Sequence, residues 1–154
     1  MSEGDRHILR SALDLAWEAA GGGGSEEDVR GAGEVTESLV PYEDDGWVLE
    51  SGYAQNGIAA IAYANRSWLG DGPQEAVWAA RQVYEAADYG AQQIKPAAVH
   101  AYSAEVEAEL ALTPVVRAAI RGISEDLVAA GKESAEVVRQ RARTAAGAFV
   151  TLLP

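Results

Sequence analysis

Thirty-one of the 154 residues are alanine, within an apolar fraction of 48%. Alanine is the best helix former and offers little side chain to bury, whereas sheets depend on β-branched and aromatic residues. A chain of this kind is driven towards packed helices around a core of modest side-chain volume. At 154 residues, folding buries about 70% of the unfolded surface in one compact domain, so a single all-helical domain over 1–154 is expected.

Hydrophobic spacing agrees with that expectation along the whole chain. Asp5 reads as an N-cap, and Ile8, Leu9, Ala12, Leu13, Ala16 and Ala20 recur at helical spacing until Gly21–Gly24 interrupt them. Those glycines lack a preceding strand and a Walker lysine, so they read as a flexible linker between the first two helices, not as a phosphate cradle. Ser25 with Glu26, Glu27 and Asp28 opens a second helix that ends near Pro41. A third helix is predicted over 52–69, with Ile58, Ile61, Ala62 and Leu69 inward. After the Gly70–Pro73 turn, a fourth carries Ala76, Ala80, Val83, Tyr84, Ala87 and Ala91 in one arc and is predicted to be central.

Pro96 marks a boundary. Ser103 then caps a short helix to Leu112, and Thr113-Pro114 opens one that buries Val116, Ala119, Ile120, Ile123, Leu127 and Ala130 and closes at Gly131. A last helix, over 133–150, buries Ala135, Val138, Ala142, Ala145 and Phe149. The fold class is therefore an all-α compact bundle of six or seven helices.

Charge narrows the partners. The formal net charge is −12, from 24 acidic and 12 basic side chains, and it is unevenly placed. Residues 1–113 hold 20 acidic and six basic groups, and residues 114–154 hold four and six. Such a field repels phosphate backbones and anionic lipid, so neither nucleic acid nor membrane is expected as a partner, whereas a basic protein would be drawn in. No run of about 18 apolar residues exists to span a bilayer. The start lacks signal-peptide features, and no cysteine is present, so the expected location is cytoplasmic and disulfide or zinc-cysteine frameworks are excluded.

The segment from Tyr42 to Tyr53 combines features of a recognition surface: Glu43, Asp44, Asp45 and Glu50 alternate with Tyr42, Trp47 and Tyr53, and no basic residue lies among them. Aromatic rings supply desolvated anchoring area, and carboxylates pair with lysine or arginine of a partner. The competing reading is structural: Asp44 or Asp45 caps the third helix and Trp47 fills the core.

Catalytic patterns are sparse. His7 and His100 are the two histidines; one falls on a polar helix face and the other follows Pro96 with no serine elbow nearby. Glu105 and Glu109 share a helix face without the Glu-x-x-His spacing of a ferritin-like centre. The Arg81, Glu85 and Asp88 cluster reads as an ion-pair face. Gln55 and Asn56 read as buried hydrogen-bonding amides. No catalytic, cofactor or metal residue is assigned.

The run Val40-Pro41-Tyr42-Glu43-Asp44-Asp45-Gly46-Trp47, followed by Ser51-Gly52-Tyr53-Ala54-Gln55-Asn56-Gly57-Ile58, resembles the middle of the YjaG-like bacterial proteins, domain of unknown function 416. Pro73-Gln74-Glu75-Ala76-Val77-Trp78 and the early Leu13-Asp14-Leu15-Ala16-Trp17-Glu18 extend the likeness over roughly residues 9–92. The resemblance implies an all-helical fold and brings no activity, cofactor or catalytic residue. Family members usually begin with a further helical segment, so the resemblance implies a member shortened at its N-terminus, with an open helix face for self-association. Val115-Val116-Arg117-Ala118-Ala119 also departs from the acidic and glutamine-bearing family pattern. The leading functional expectation is a non-enzymatic acidic binding protein, of the immunity type that neutralises a basic toxin. The alternatives are a structural or self-associating protein, as a homodimer, and a carboxylate-dependent enzyme.

Overall fold

Seven helices and no strand occur among the residues that the computed structural model describes, which are 1–40, 52–70, 73–94 and 103–153. They are α1 (Glu3–Ala20), α2 (Glu26–Ser38), α3 (Gly52–Trp68), α4 (Pro73–Ile94), α5 (Ala104–Ala111), α6 (Pro114–Ala130) and α7 (Ala135–Val150). Among the described residues no helix is long and apolar enough to cross a membrane.

Local chemistry sets most of the ends. The first helix starts before Asp5, because Ser2 and Asp5 form a capping box: the Asp5 amide donates to Ser2 Oγ at 3.1 Å and the Ser2 amide to Asp5 Oδ2 at 2.7 Å. Those bonds from Ser2 hold the Asp5 carboxyl below the usual carboxylate range. Ser25 caps α2 as expected, its Oγ accepting from the Asp28 amide at 3.0 Å. Ser103 does the same for α5 through the Val106 amide at 3.3 Å. Thr113 behaves differently from the expected cap, since its hydroxyl turns back to donate to the Leu110 carbonyl at 2.6 Å and leaves the first amides of α6 without a side-chain cap.

The glycine run after α1 forms a hydrogen-bonded turn. The Gly22 amide donates to the Ala19 carbonyl and the Gly23 amide to the Glu18 carbonyl, both at 2.9 Å, which is the paired arrangement of a Schellman stop. Gly22 sits at φ +83° and Gly24 at φ +75°, a region that side-chain-bearing residues rarely adopt. Gly131, by contrast, ends α6 at φ −81° and supplies no left-handed cap.

Packing groups the chain into two compact units, residues 1–83 and 84–154, and the division falls inside α4. In the first, α2 packs on α1 and α3, and α1 packs on α3. Its interior contains Leu9, Ala12, Ala19, Val29, Ile58 and Ala62 together with buried Thr36, Gln55 and Asn65. Gly33 on α2 lies where α3 comes close: a Cβ there would stand 3.5 Å from that of Asn65. In the second unit, α6 packs along α7 and touches α5, and the core is Ala87, Ala91, Leu110, Val115, Val116 and Ala119, with Tyr84, Val106, Phe149, Leu152 and Leu153 against it.

Two stripes differ from their expected register. In α4 only the second half of the apolar arc is buried, at Ala87 and Ala91, while Ala76 and Val83 are exposed and Ala80 is half-buried; the buried residue of the first half is Glu75. In α6 the buried positions are Val115, Val116, Ala119 and Ala129. Ile120 is 45% exposed and Leu127 76%. At about 100° per residue, the buried Val115, Val116, Ala119 and Ala129 span an arc of about 140°, and Leu127 and Ile120 lie about 20° and 40° past its Val116 edge. The aliphatic residues of this helix extend around more of it than is buried. Ile123 and Phe149, expected in the core, are half-buried, and on α7 Val138 is buried while Ala145 is exposed.

Candidate functional site

Six of the seven residues singled out as a recognition surface, Tyr42, Glu43, Asp44, Asp45, Trp47 and Glu50, lie outside the described residues, as does His100. The seventh, Tyr53, is half-buried in the first turn of α3. The helix that leads into this segment is described. The outward face of α2 carries Glu27, Asp28 and Glu34, all exposed, beside Val35, which is 46% exposed. Its buried side is formed by Val29, Gly33 and Thr36, so helical spacing alone turns these carboxylates to solvent. The one arginine of α2, Arg30, pairs with Glu26 at 2.7 Å, and with one arginine against five carboxylates the helix stays net acidic.

The structure also assembles a cluster that sequence reasoning missed. Arg66 of α3 reaches Glu37 of α2 at 3.1 Å and Glu75, in the first turn of α4, at 3.5 Å. Its guanidinium lies 6.0 Å from the centre of the Tyr63 ring. Tyr63 in turn meets Trp78 at a centroid separation of 5.4 Å and a tilt of 58°. Tyr63 and Arg66 are three apart on α3, and Glu75 and Trp78 are three apart on α4, so each helix presents one ring and one charge to the other. That matched spacing, near the end of α3 and at the start of α4, is the signal that could have revealed the cluster.

Glu75 is 6% exposed, and its Oε2 makes an ion-pair contact with Arg66 without a hydrogen bond among the described residues. Burying a carboxylate is tolerated only where a cation accompanies it. Asn65, next to Arg66 in the chain, is fully buried. Its Nδ2 donates to the Ile61 carbonyl at 2.9 Å, and its Oδ1 has no partner among the described residues. Gln55 is buried as expected and Asn56 half-buried.

In the second unit Asp88 is half-buried and accepts a hydrogen bond from Gln92 Nε2 at 2.6 Å. Burial raises its pKa, opposed by that hydrogen bond, and the neighbouring charges of Glu85 and Glu107 raise it further. Because the folded form binds its proton more tightly than the unfolded form, the group's contribution to stability is fully present below the ordinary carboxylate range. It is lost as pH rises through the raised value. Asp88→Asn is therefore expected to melt somewhat higher than the native chain at neutral pH, with the gap closing as the pH falls through the carboxylate range. A gap of the same size at every pH would contradict the assignment.

His7 is exposed on α1, and Glu105 and Glu109 are exposed on α5. The Glu105 carboxyl is held below its usual range by a hydrogen bond from Ser103. Among the described residues no three acidic or histidine side chains converge in a way that could hold a metal ion. Comparison with known proteins returns no match to any family model, curated protein or solved structure.

Proposed function

We propose that this chain is a helical binding protein whose acidic surface engages a basic protein, and that its specific form is an immunity-type role in which it covers and neutralises a basic toxin. The observation that carries the reading is the outward face of α2, where Glu27 and Glu34 stand exposed two turns apart beside a second exposed row of Asp28 and Val35, and the acidic run continues in sequence into Glu43, Asp44, Asp45 and Glu50. Exposed carboxylates along one helix face suit a partner with the opposite field, which such a surface attracts and orients before contact. The same charge disfavours nucleic acid and anionic lipid as partners.

The test uses the immobilised chain and the soluble proteins of its source organism at low salt. A basic protein is expected to be retained, and its association rate to fall by about tenfold when Glu27→Lys and Glu34→Lys are combined. Asp44→Lys with Asp45→Lys should act in the same direction. Retention that is indifferent to all four reversals, or no basic protein retained, would overturn the reading.

A further inference from the structure

A second surface, independent of the acidic one, lies in the unit formed by residues 84–154. Between α6 and α7 runs an open groove of about 760 Å³, with Ala118 on one wall, Ala145 and Ala148 on the other, and Phe149 and Leu152 at its base. Small side chains on both walls leave the trough unfilled. It continues over Ala118 and Leu152 into a hollow of about 490 Å³ at the start of α6, flanked by Leu112, which is 71% exposed, and by Ile120.

The charge of the groove is polarised along its length. Arg117 and Arg121 are exposed one turn apart in the first half of α6, and neither forms an ion pair among the described residues, with Arg121 standing one turn before Glu125. The N-terminal end of α6 adds partial positive charge of the same sign. At the other end Arg141 is already engaged, with Glu125 at 3.7 Å and Glu133 at 4.0 Å, and Asp126 stands beside it. Positive charge outside any ion pair among the described residues thus stands towards one end of the trough, and the carboxylates towards the other, on a chain whose net charge is −12.

We propose that this groove receives an amphipathic helical segment of a partner protein, with the segment's apolar side in the trough and its acidic end against Arg117 and Arg121. A helix laid in a groove contributes apolar area through residues on one face, and charge at one end fixes its direction. Glu125 and Asp126 disfavour the reversed orientation by like-charge repulsion.

The experiment measures anisotropy of a labelled helical peptide of about 16 residues, with leucines along one face and glutamates confined to its first turns, against the full-length chain. Binding is expected at low salt and is expected to weaken as salt rises. Arg117→Glu with Arg121→Glu should weaken it by about tenfold or more, at unchanged helix content, because both side chains are exposed. Ala145→Trp, which fills the trough and leaves the arginines in place, should also abolish it. Three outcomes would overturn the proposal: no binding of the acidic-ended peptide, equal binding by the double variant, or a native dimer in sedimentation that the double variant loses, which would make a second copy the occupant.

Discussion

Val116→Asp is expected to unfold residues 84–154, while Ile120→Asp, one turn further along the same helix, leaves them folded. Val116 is fully buried in the core with Ala87, Ala91, Leu110 and Ala119, so a carboxylate there has neither water nor a cation. An uncompensated buried charge costs on the order of 4 kcal/mol or more, a large share of the roughly 5–15 kcal/mol that holds a domain together. Ile120 is 45% exposed, and an acid at such a position changes stability by about 0.5–1 kcal/mol. Circular dichroism with urea titration of the two variants separates them. Equal loss from both would place Ile120 in the core after all.

The second large effect is expected at Arg66. Arg66→Met leaves Glu75 buried without its cation and removes the tie to Glu37, with a loss of about 2–3 kcal/mol in denaturant unfolding, since removal of one partner strands the other. Combining Arg66→Met with Glu75→Gln should restore most of that loss, because the carboxylate that caused it is gone. If the double variant is no better than the single one, the stabilisation comes from the guanidinium over Tyr63 and its tie to Glu37, and not from the pair with Glu75.

These residues also mark how far the sequence could be read. Helix type and most helix ends were legible because they depend on neighbours in the chain: Ser25 and Ser103 cap, Pro73 and Pro114 begin, and alanine-rich spacing runs between them. The facing of α6 was not, because its aliphatic residues extend around more of the helix than is buried, and the core formed with Ala87, Ala91 and Leu110 decides which of them are covered. Glu75 reads locally as a first-turn acid turned to water. Its burial depends on Arg66, nine residues earlier, and on Glu37 from another helix. The burial of Asn65 has no local signal and depends on Gly33 of α2, which leaves room for it. Of the candidate site, the acidic character was legible from composition, and the outward face of α2 follows from its spacing. The segment from Tyr42 to Glu50 lies outside the described residues.

The helix pairs that pack most closely are near neighbours in the chain: α1 with α2, α2 with α3, α1 with α3, α5 with α6, and α6 with α7. Contacts between neighbours require only short loops to close, and proteins dominated by them fold in microseconds to milliseconds. A ribosome adds about 5–20 residues each second. On that timescale α1, α2 and α3 can meet as soon as they have cleared the exit tunnel, long before α7 is made. The interior of the first unit, with Leu9, Val29, Ile58 and Ala62, can then be covered while the rest of the chain is still being made.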